Sequence, residues 1–165
     1  MSGFSPIVGG MPRILILGSM PGVKSLDAVE YYAHPQNAFW WIMSQLFGLN
    51  LTADYHQRCQ GLIGAGVAVW DVLYDCERPG SLDSNIVRGT EQVNDFADFF
   101  SAWPSIDVVG FNGQMAEKLF VRHCQQIRTR ASALRFVTLP STSPANARQD
   151  RAAKLARWRS HLLER

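Results

Sequence analysis

The sequence predicts an α/β layered domain with a mainly parallel sheet. Three observations point there. Four short runs rich in β-branched and aromatic residues recur along the chain, stretches of helical pattern separate them, and the glycine-, proline- and amide-rich segments follow the ends of the runs. Strands that alternate with helices are joined by crossovers, and crossovers give parallel pairing.

The elements follow in order. The first strand is RILIL at 13–17, and GSMPG follows it directly. A helix is expected over AFWWIMSQLFG at 38–48, with Asn37 as a candidate cap. DYHQRCQGLIGA at 54–65 reads as a second helix weakened by its glycines. GVAVWDVL at 66–73 is the second strand, followed by the polar segment CERPGSLDSN. EQVNDFADFFSAW at 91–103 reads as a third helix, with Thr90 as its cap and acidic residues at the end the dipole favours. The third strand is IDVVGF at 106–111, then FNGQ and a helix over GQMAEKLFVRHC at 113–124. The fourth strand is RFVTL at 135–139, followed by PSTSPAN at 140–146. The last helix covers ARQDRAAKLARWRSHLL at 147–163. Its apolar positions Ala152, Leu155, Ala156, Leu162 and Leu163 share one side, with Arg151, Lys154 and Trp158 on another.

The chain has 165 residues, 47% hydrophobic and 18% charged, which fits a single domain over 1–165 and argues against disorder. No apolar stretch reaches membrane-spanning length, and MSGFSPIVGG lacks the basic and apolar regions of a secretory signal. A cytoplasmic location and no membrane association are the expectations. Cys59, Cys76 and Cys124 are odd in number and widely spaced, which suggests reduced thiols, and no close Cys/His pairs indicate a metal site. Residues 1–117 carry five Lys/Arg against twelve Asp/Glu, and residues 118–165 carry eleven against two. A basic C-terminal section suits a polyanion such as nucleic acid; it equally suits a solvated helix face.

In parallel sheets ligands bind beyond the carboxyl ends of the strands, and GSMPG, CERPGSLDSN, FNGQ and PSTSPAN all fall there. Gly18 and Gly22 bracket Ser19, Met20 and Pro21, where backbone can approach a ligand closely. The segment is neither GxxxxGK[ST] nor GxGxxG, and Ser19 has no GxSxG elbow. Asn37 either caps a helix or orients a water or a base. Tyr31 and Tyr32 are core, surface or a stacking platform for a flat heterocycle. His34 reads as a structural hydrogen-bonding histidine, with a general base as the alternative. Asp71, at the end of an apolar strand, needs a partner. Asn112 is a helix-starting amide or a polar group of the rim. The hydroxyls and backbone of PSTSPAN suit phosphate contacts, through Ser141, Thr142, Ser143 and Asn146, continued by Arg148 and Arg151.

Five segments in order between residues 14 and 146, ILGSMPGVKSL, YYAHPQNAFW, WDVLYDCERPGSLDSNI, GFNG and LPSTSPAN, resemble the uracil-DNA glycosylase superfamily, most of all its hypoxanthine-DNA (deoxyinosine) branch, with the mismatch-specific uracil glycosylases as neighbours. The resemblance implies a three-layer α/β/α domain around a four-stranded mainly parallel sheet. It implies monofunctional hydrolysis of the N-glycosidic bond of a deaminated base in DNA, hypoxanthine first, with no metal or cofactor and a monomer as the working unit. In mismatch-specific relatives the first motif looks like GINPG, whose asparagine positions the water. Met20 stands at that position here, and a thioether orients water poorly. In the hypoxanthine branch the catalytic amide is that of the HPQNAFW-like segment, Asn37. Tyr32 falls where relatives stack a ring on the extruded base, and Asp71 where several carry a base-reading asparagine. Gly18, Ser19, Met20 and Asn112 complete the expected base-binding set. PSTSPAN resembles the second motif, which grips the DNA backbone, but Leu139-Pro140 replaces the histidine that some relatives carry at its start. The competing readings are a uracil or mismatch glycosylase, a non-catalytic nucleotide- or nucleic-acid-binding module, and a nucleoside hydrolase.

Overall fold

The structure is a computed structural model that describes residues 2–80, 82–130, 133–146 and 149–164. Its centre is a four-stranded sheet, β1 (Ile14–Gly18), β2 (Val67–Asp71), β5 (Val108–Asn112) and β6 (Arg135–Leu139), in the order β2-β1-β5-β6. Every pairing is parallel, with Gly18 opposite Asp71 and Asn112 opposite Leu139. β1 is buried along its whole length and alternates its side chains between two cores. Ile14 and Ile16 pack with Phe39, Trp40, Ile42, Leu62, Trp158 and Leu162 under α2 (Phe39–Phe47), α3 (Tyr55–Gly64) and α6 (Arg151–Leu163). Leu15 and Leu17 pack with Phe96, Phe99, Leu119 and Phe120 under α4 (Phe96–Ala102) and α5 (Gln114–Arg130). The result is the three-layer α/β/α arrangement the sequence implies. The period of two in the strands splits each one between the layers. No helix among the described residues is long and apolar enough to cross a membrane.

Several elements differ from the sequence reading. The expected strand over 66–73 ends at Asp71, and Leu73–Asp75 forms a separate strand, β3, paired antiparallel with β4 (Gln92–Val93). The helix expected over 91–103 therefore begins only at Phe96. Its cap is Asp95, whose carboxylate accepts the Asp98 N–H, and not Thr90, whose hydroxyl donates to the Val87 carbonyl. Short side chains with two roles made both residues plausible caps; the β3–β4 pairing decides between them. A short helix α1 (Val23–Ala28) follows GSMPG and was not expected. α5 runs well beyond Cys124, where the backbone kinks.

α6 starts at Arg151, capped by Asp150, and is turned differently from the expectation. Its buried stripe is Lys154, Trp158 and Leu162, while Ala152, Ala156 and Leu163 are exposed. The Trp158 indole decides the orientation: it is fully buried and donates to the Pro140 carbonyl at 2.8 Å. One large ring outweighs several alanines, whose burial contributes little. α6 can sit close to the sheet because β5 presents Gly110 beneath it. A Cβ there would lie 2.8 Å from Leu139 Cδ1 and 3.1 Å from Leu162 Cδ2. Gly110→Ala should overpack this contact and destabilise the fold by about 1–3 kcal/mol, measured by denaturant unfolding. Unchanged stability would mean that the two leucines swing aside freely.

Candidate active site

The parallel sheet sends the carboxyl ends of β1, β2, β5 and β6 to one rim. The loops that leave them enclose a cavity of about 710 Å³, a size suited to a small-molecule-sized group. Gly18, Ser19, Met20, Tyr32, Asn37, Asp71, Asn112, Ser141, Thr142, Ser143 and Asn146 all line it. The structure thus brings together every candidate from the sequence except two. Arg151 lies outside, its guanidinium 4.3 Å from the Trp41 ring centre, and Arg148 lies outside the described residues.

On the floor, Asp71 is 3% exposed and lies against Gly18. A Cβ on residue 18 would stand 2.5 Å from its Oδ1 and 2.9 Å from the Tyr32 hydroxyl, so only glycine fits. Asp71 Oδ2 and the Tyr32 hydroxyl are buried without a hydrogen-bond partner among the described residues. Burial, and then the charge of Asp71, push the Tyr32 hydroxyl well above its ordinary range, and the Asn112 amide opposes them. Burial, and then the charge of Asp83, push the Asp71 carboxyl up to about 7; Arg78 opposes them. Two orphaned polar atoms lie closed off just beneath the hollow, where an unsatisfied donor or acceptor is costly and calls for a functional reason.

Tyr32 has a left-handed backbone, φ 55°, which is strained for an aromatic residue. Its ring stacks on Phe39 at 4.1 Å between centroids, so one face is occupied, while the residue still borders the cavity. Tyr31 is core: its hydroxyl donates to the Ser5 carbonyl at 2.9 Å, and its own carbonyl accepts from the Trp40 indole. His34 accepts the Gln36 N–H on Nδ1, a local turn contact. Asn37 Oδ1 accepts the Phe39 N–H at 2.9 Å. That bond serves the start of α2 and also fixes the direction of the carboxamide, leaving Nδ2 out of the contact.

The loop residues are fastened to one another. Asn112 donates from Nδ2 to Thr142 Oγ1 and accepts the Thr142 N–H on Oδ1, both at 2.9 Å. The Thr142 carbonyl accepts the Ala38 N–H at 3.0 Å. Ser141 Oγ accepts the Ser143 N–H, Ser143 Oγ the Ala145 N–H, and Asn146 donates to the Ser141 carbonyl. The hydroxyls of PSTSPAN therefore shape their own loop first.

Arg78 and Asp83 carry a role that sequence reading missed. The Arg78 side chain is fully buried beside Asp83, at 3.8 Å. Its guanidinium donates to the carbonyls of Met20, Pro21 and Gly80. The Ser19 hydroxyl donates to Asp83 at 2.7 Å. Together they hold GSMPG in place from beneath. Nothing in CERPGSLDSN distinguishes such an arginine from a solvated one; the only signal is a lone cation ahead of a Pro-Gly turn.

The sequence profile of the uracil DNA glycosylase superfamily matches residues 7–164 of this chain. A protein of Methanosarcina acetivorans named hypoxanthine DNA glycosylase is 33% identical over 147 residues, 88% of each chain. Another of that name from Methanosarcina barkeri is 31% identical over 153 residues, 92% of each. Among solved structures, the NMR structure of a Methanosarcina acetivorans protein presented as a candidate uracil DNA glycosylase superposes with a TM-score of 0.77. It has 29% identity and covers 96% of each chain.

The buried Asp71 carboxyl gives a stability signature with a definite sign. An unfolded aspartate ionises near about 3.9, while the folded one holds its proton up to about 7. Between those values the folded state binds the extra proton, so stability falls as pH rises through the window and the full penalty is present above it. Asp71→Asn should therefore raise the melting temperature at pH 8, with a gain that shrinks towards zero at pH 4. A gain independent of pH would show that the carboxyl ionises normally.

Proposed function

Because the chain belongs to the uracil DNA glycosylase superfamily, we propose that it hydrolyses the N-glycosidic bond of hypoxanthine in DNA. The observation that carries this reading is the cavity floor: two orphaned polar atoms, Asp71 Oδ2 and the Tyr32 hydroxyl, beside the bare backbone of Gly18. The names of the two Methanosarcina relatives support hypoxanthine as the base. A base inside a duplex is out of reach of such a hollow, so the nucleotide must swing out, and a poorly paired base such as hypoxanthine opposite thymine leaves most easily.

In this reading Tyr32 supports the flat face of the extruded base, and the base edge satisfies the floor. Burial holds a proton on Asp71 far above the usual carboxylate range, up to about 7, so its free oxygen serves as donor or acceptor there. As the bond from C1′ to the purine nitrogen breaks, the electron pair moves onto the base. A neutral Asp71 hydrogen-bonds that growing negative charge, a task for which Leu139-Pro140 offers no imidazole. Water supplies the new bond to C1′. The Asn37 carboxamide, held by the Phe39 N–H, orients that water, a role Met20 cannot fill. PSTSPAN grips the DNA backbone beside the cavity, with Ser141, Thr142, Ser143 and Asn146 presenting the loop. Uracil is the second candidate base, favoured by the solved neighbour's description.

Duplexes with one inosine or one uracil test the reading directly. Incubation should make the inosine strand alkali-sensitive, and sensitivity at uracil alone would move the assignment to uracil. Two variants separate chemistry from capping at Asn37. Asn37→Ser keeps a capping oxygen, and Asn37→Ala does not. Both should cut single-turnover cleavage by about 100-fold or more, although only the alanine should lose stability. Wild-type cleavage by Asn37→Ser would reduce Asn37 to a capping residue.

Tyr32→Ala should weaken binding to lesion DNA by about 1–3 kcal/mol, and Tyr32→Phe should largely preserve it. Fluorescence anisotropy with an uncleavable inosine analogue reads both. No loss in either variant would leave Tyr32 a packing residue.

A further inference from the structure

A second hollow of about 630 Å³ lies against the active-site cavity. The two share Tyr32, His34 and Asn37, so the segment that carries the proposed catalytic amide is the wall between them. The far side of this wall is basic. Arg58, Arg151 and Lys154 line the groove, with Glu30 as the single carboxylate among its described lining. Both guanidiniums are held over indoles, Arg58 at 4.6 Å from Trp40 and Arg151 at 4.3 Å from Trp41. Arg58 is steadied further by donating from Nε to the Ala53 carbonyl at 3.2 Å.

Lys154 is the unusual member. It is 4% exposed, on the buried stripe of α6 one turn before Trp158. Its side chain makes no hydrogen bond or ion pair among the described residues. The side chain is packed along its stem, and the residue lines the groove, the arrangement in which a lysine buries its methylenes and keeps its ammonium at the surface. Three cations on one groove wall, two of them oriented over indoles, with a single carboxylate among the described lining, form a site suited to an anion.

We propose that this groove is a phosphodiester site, which holds the backbone of the lesion-bearing strand beside the nucleotide extruded into the cavity, with Lys154 and Arg58 as its anchors. The assignment rests on the DNA glycosylase reading above. A phosphate held on one side of the 32–37 wall and a sugar-base unit on the other would draw the strand across that wall, where Asn37 stands. Burial also pulls the Lys154 ammonium below its ordinary range; a bound phosphate would restore it.

The test uses Lys154→Met, which keeps the length of the side chain and removes the charge. Binding to an inosine duplex made uncleavable by 2′-fluorination should weaken by about tenfold. The salt slope, on lesion and undamaged duplexes alike, should fall by about one unit. The melting temperature should rise, because burial disfavours the charge that is removed. A scan with single neutral methylphosphonate linkages then locates the phosphate. At one linkage next to the lesion the wild type should weaken about tenfold and Lys154→Met should lose nothing further.

Equal losses in both proteins at every linkage, or unchanged affinity in Lys154→Met, would overturn the proposal. Should Lys154→Met fail to fold, Arg58→Gln takes its place in the same scan with the same two outcomes. A wild type that leaves both inosine and uracil DNA intact, but whose salt slope still depends on Lys154, would overturn the glycosylase reading and leave the phosphate groove standing.

Discussion

Thr142 is the fastening on which the site depends. It is 1% exposed and uses three polar groups at once. Its N–H and hydroxyl close a two-way contact with the Asn112 carboxamide, and its carbonyl receives the Ala38 N–H. One residue therefore ties the end of β5, the loop after β6 and the start of α2. Trp158 adds the fourth layer of support, through the Pro140 carbonyl just upstream. Without these bonds the strand ends would still meet at one rim, because parallel pairing requires it, but the loops above them would have no common register. A short hydrogen-bonded hub suits a site that must hold a reacting group within a fraction of an ångström.

The same economy explains the first loop. GSMPG carries no charge, and its grip comes from Arg78 below, whose fork reaches the Met20 and Pro21 carbonyls. The guanidinium leaves the backbone of this loop turned toward the cavity and the charge away from it. Asp83 balances the arginine and receives the Ser19 hydroxyl, so this serine is a strut. Acid, cation and hydroxyl are all engaged with one another here, which leaves the Asp71 carboxyl and the Tyr32 hydroxyl as the orphaned groups on the floor.

Much of the fold was legible because the signals were local. ILIL, VAVW and VVGF are continuous apolar runs of the kind a sheet buried on both faces accommodates, and the loop residues after each run were visible as a set. One rule about strand ends gathered the loops GSMPG, FNGQ and PSTSPAN before any contact was known, whereas the roles of Tyr32 and Asn37 came from the family resemblance. What could not be read depended on competition between neighbours. α6 has alanines and leucines on more than one side, so its orientation hung on a single hydrogen bond from Trp158. EQVN has helix-like chemistry, but the strand at Leu73–Asp75 captures part of it. The burial of Lys154 and Arg78 left no trace, since a lysine in a helix and an arginine in a loop usually face water. The residues hidden from the sequence are those whose role comes from distant partners.

The backbone of Tyr32 carries a consequence for how such a chain changes over generations. A left-handed φ of 55° is a conformation that glycine or asparagine adopts without strain and tyrosine does not. Under selection for thermal endurance alone, with no lesion to remove, drift at position 32 should run toward those two residues and the aromatic ring should vanish early. Populations grown under mutagenic stress should keep it. On the proposed stacking role of Tyr32, the residue at this position then distinguishes the two pressures.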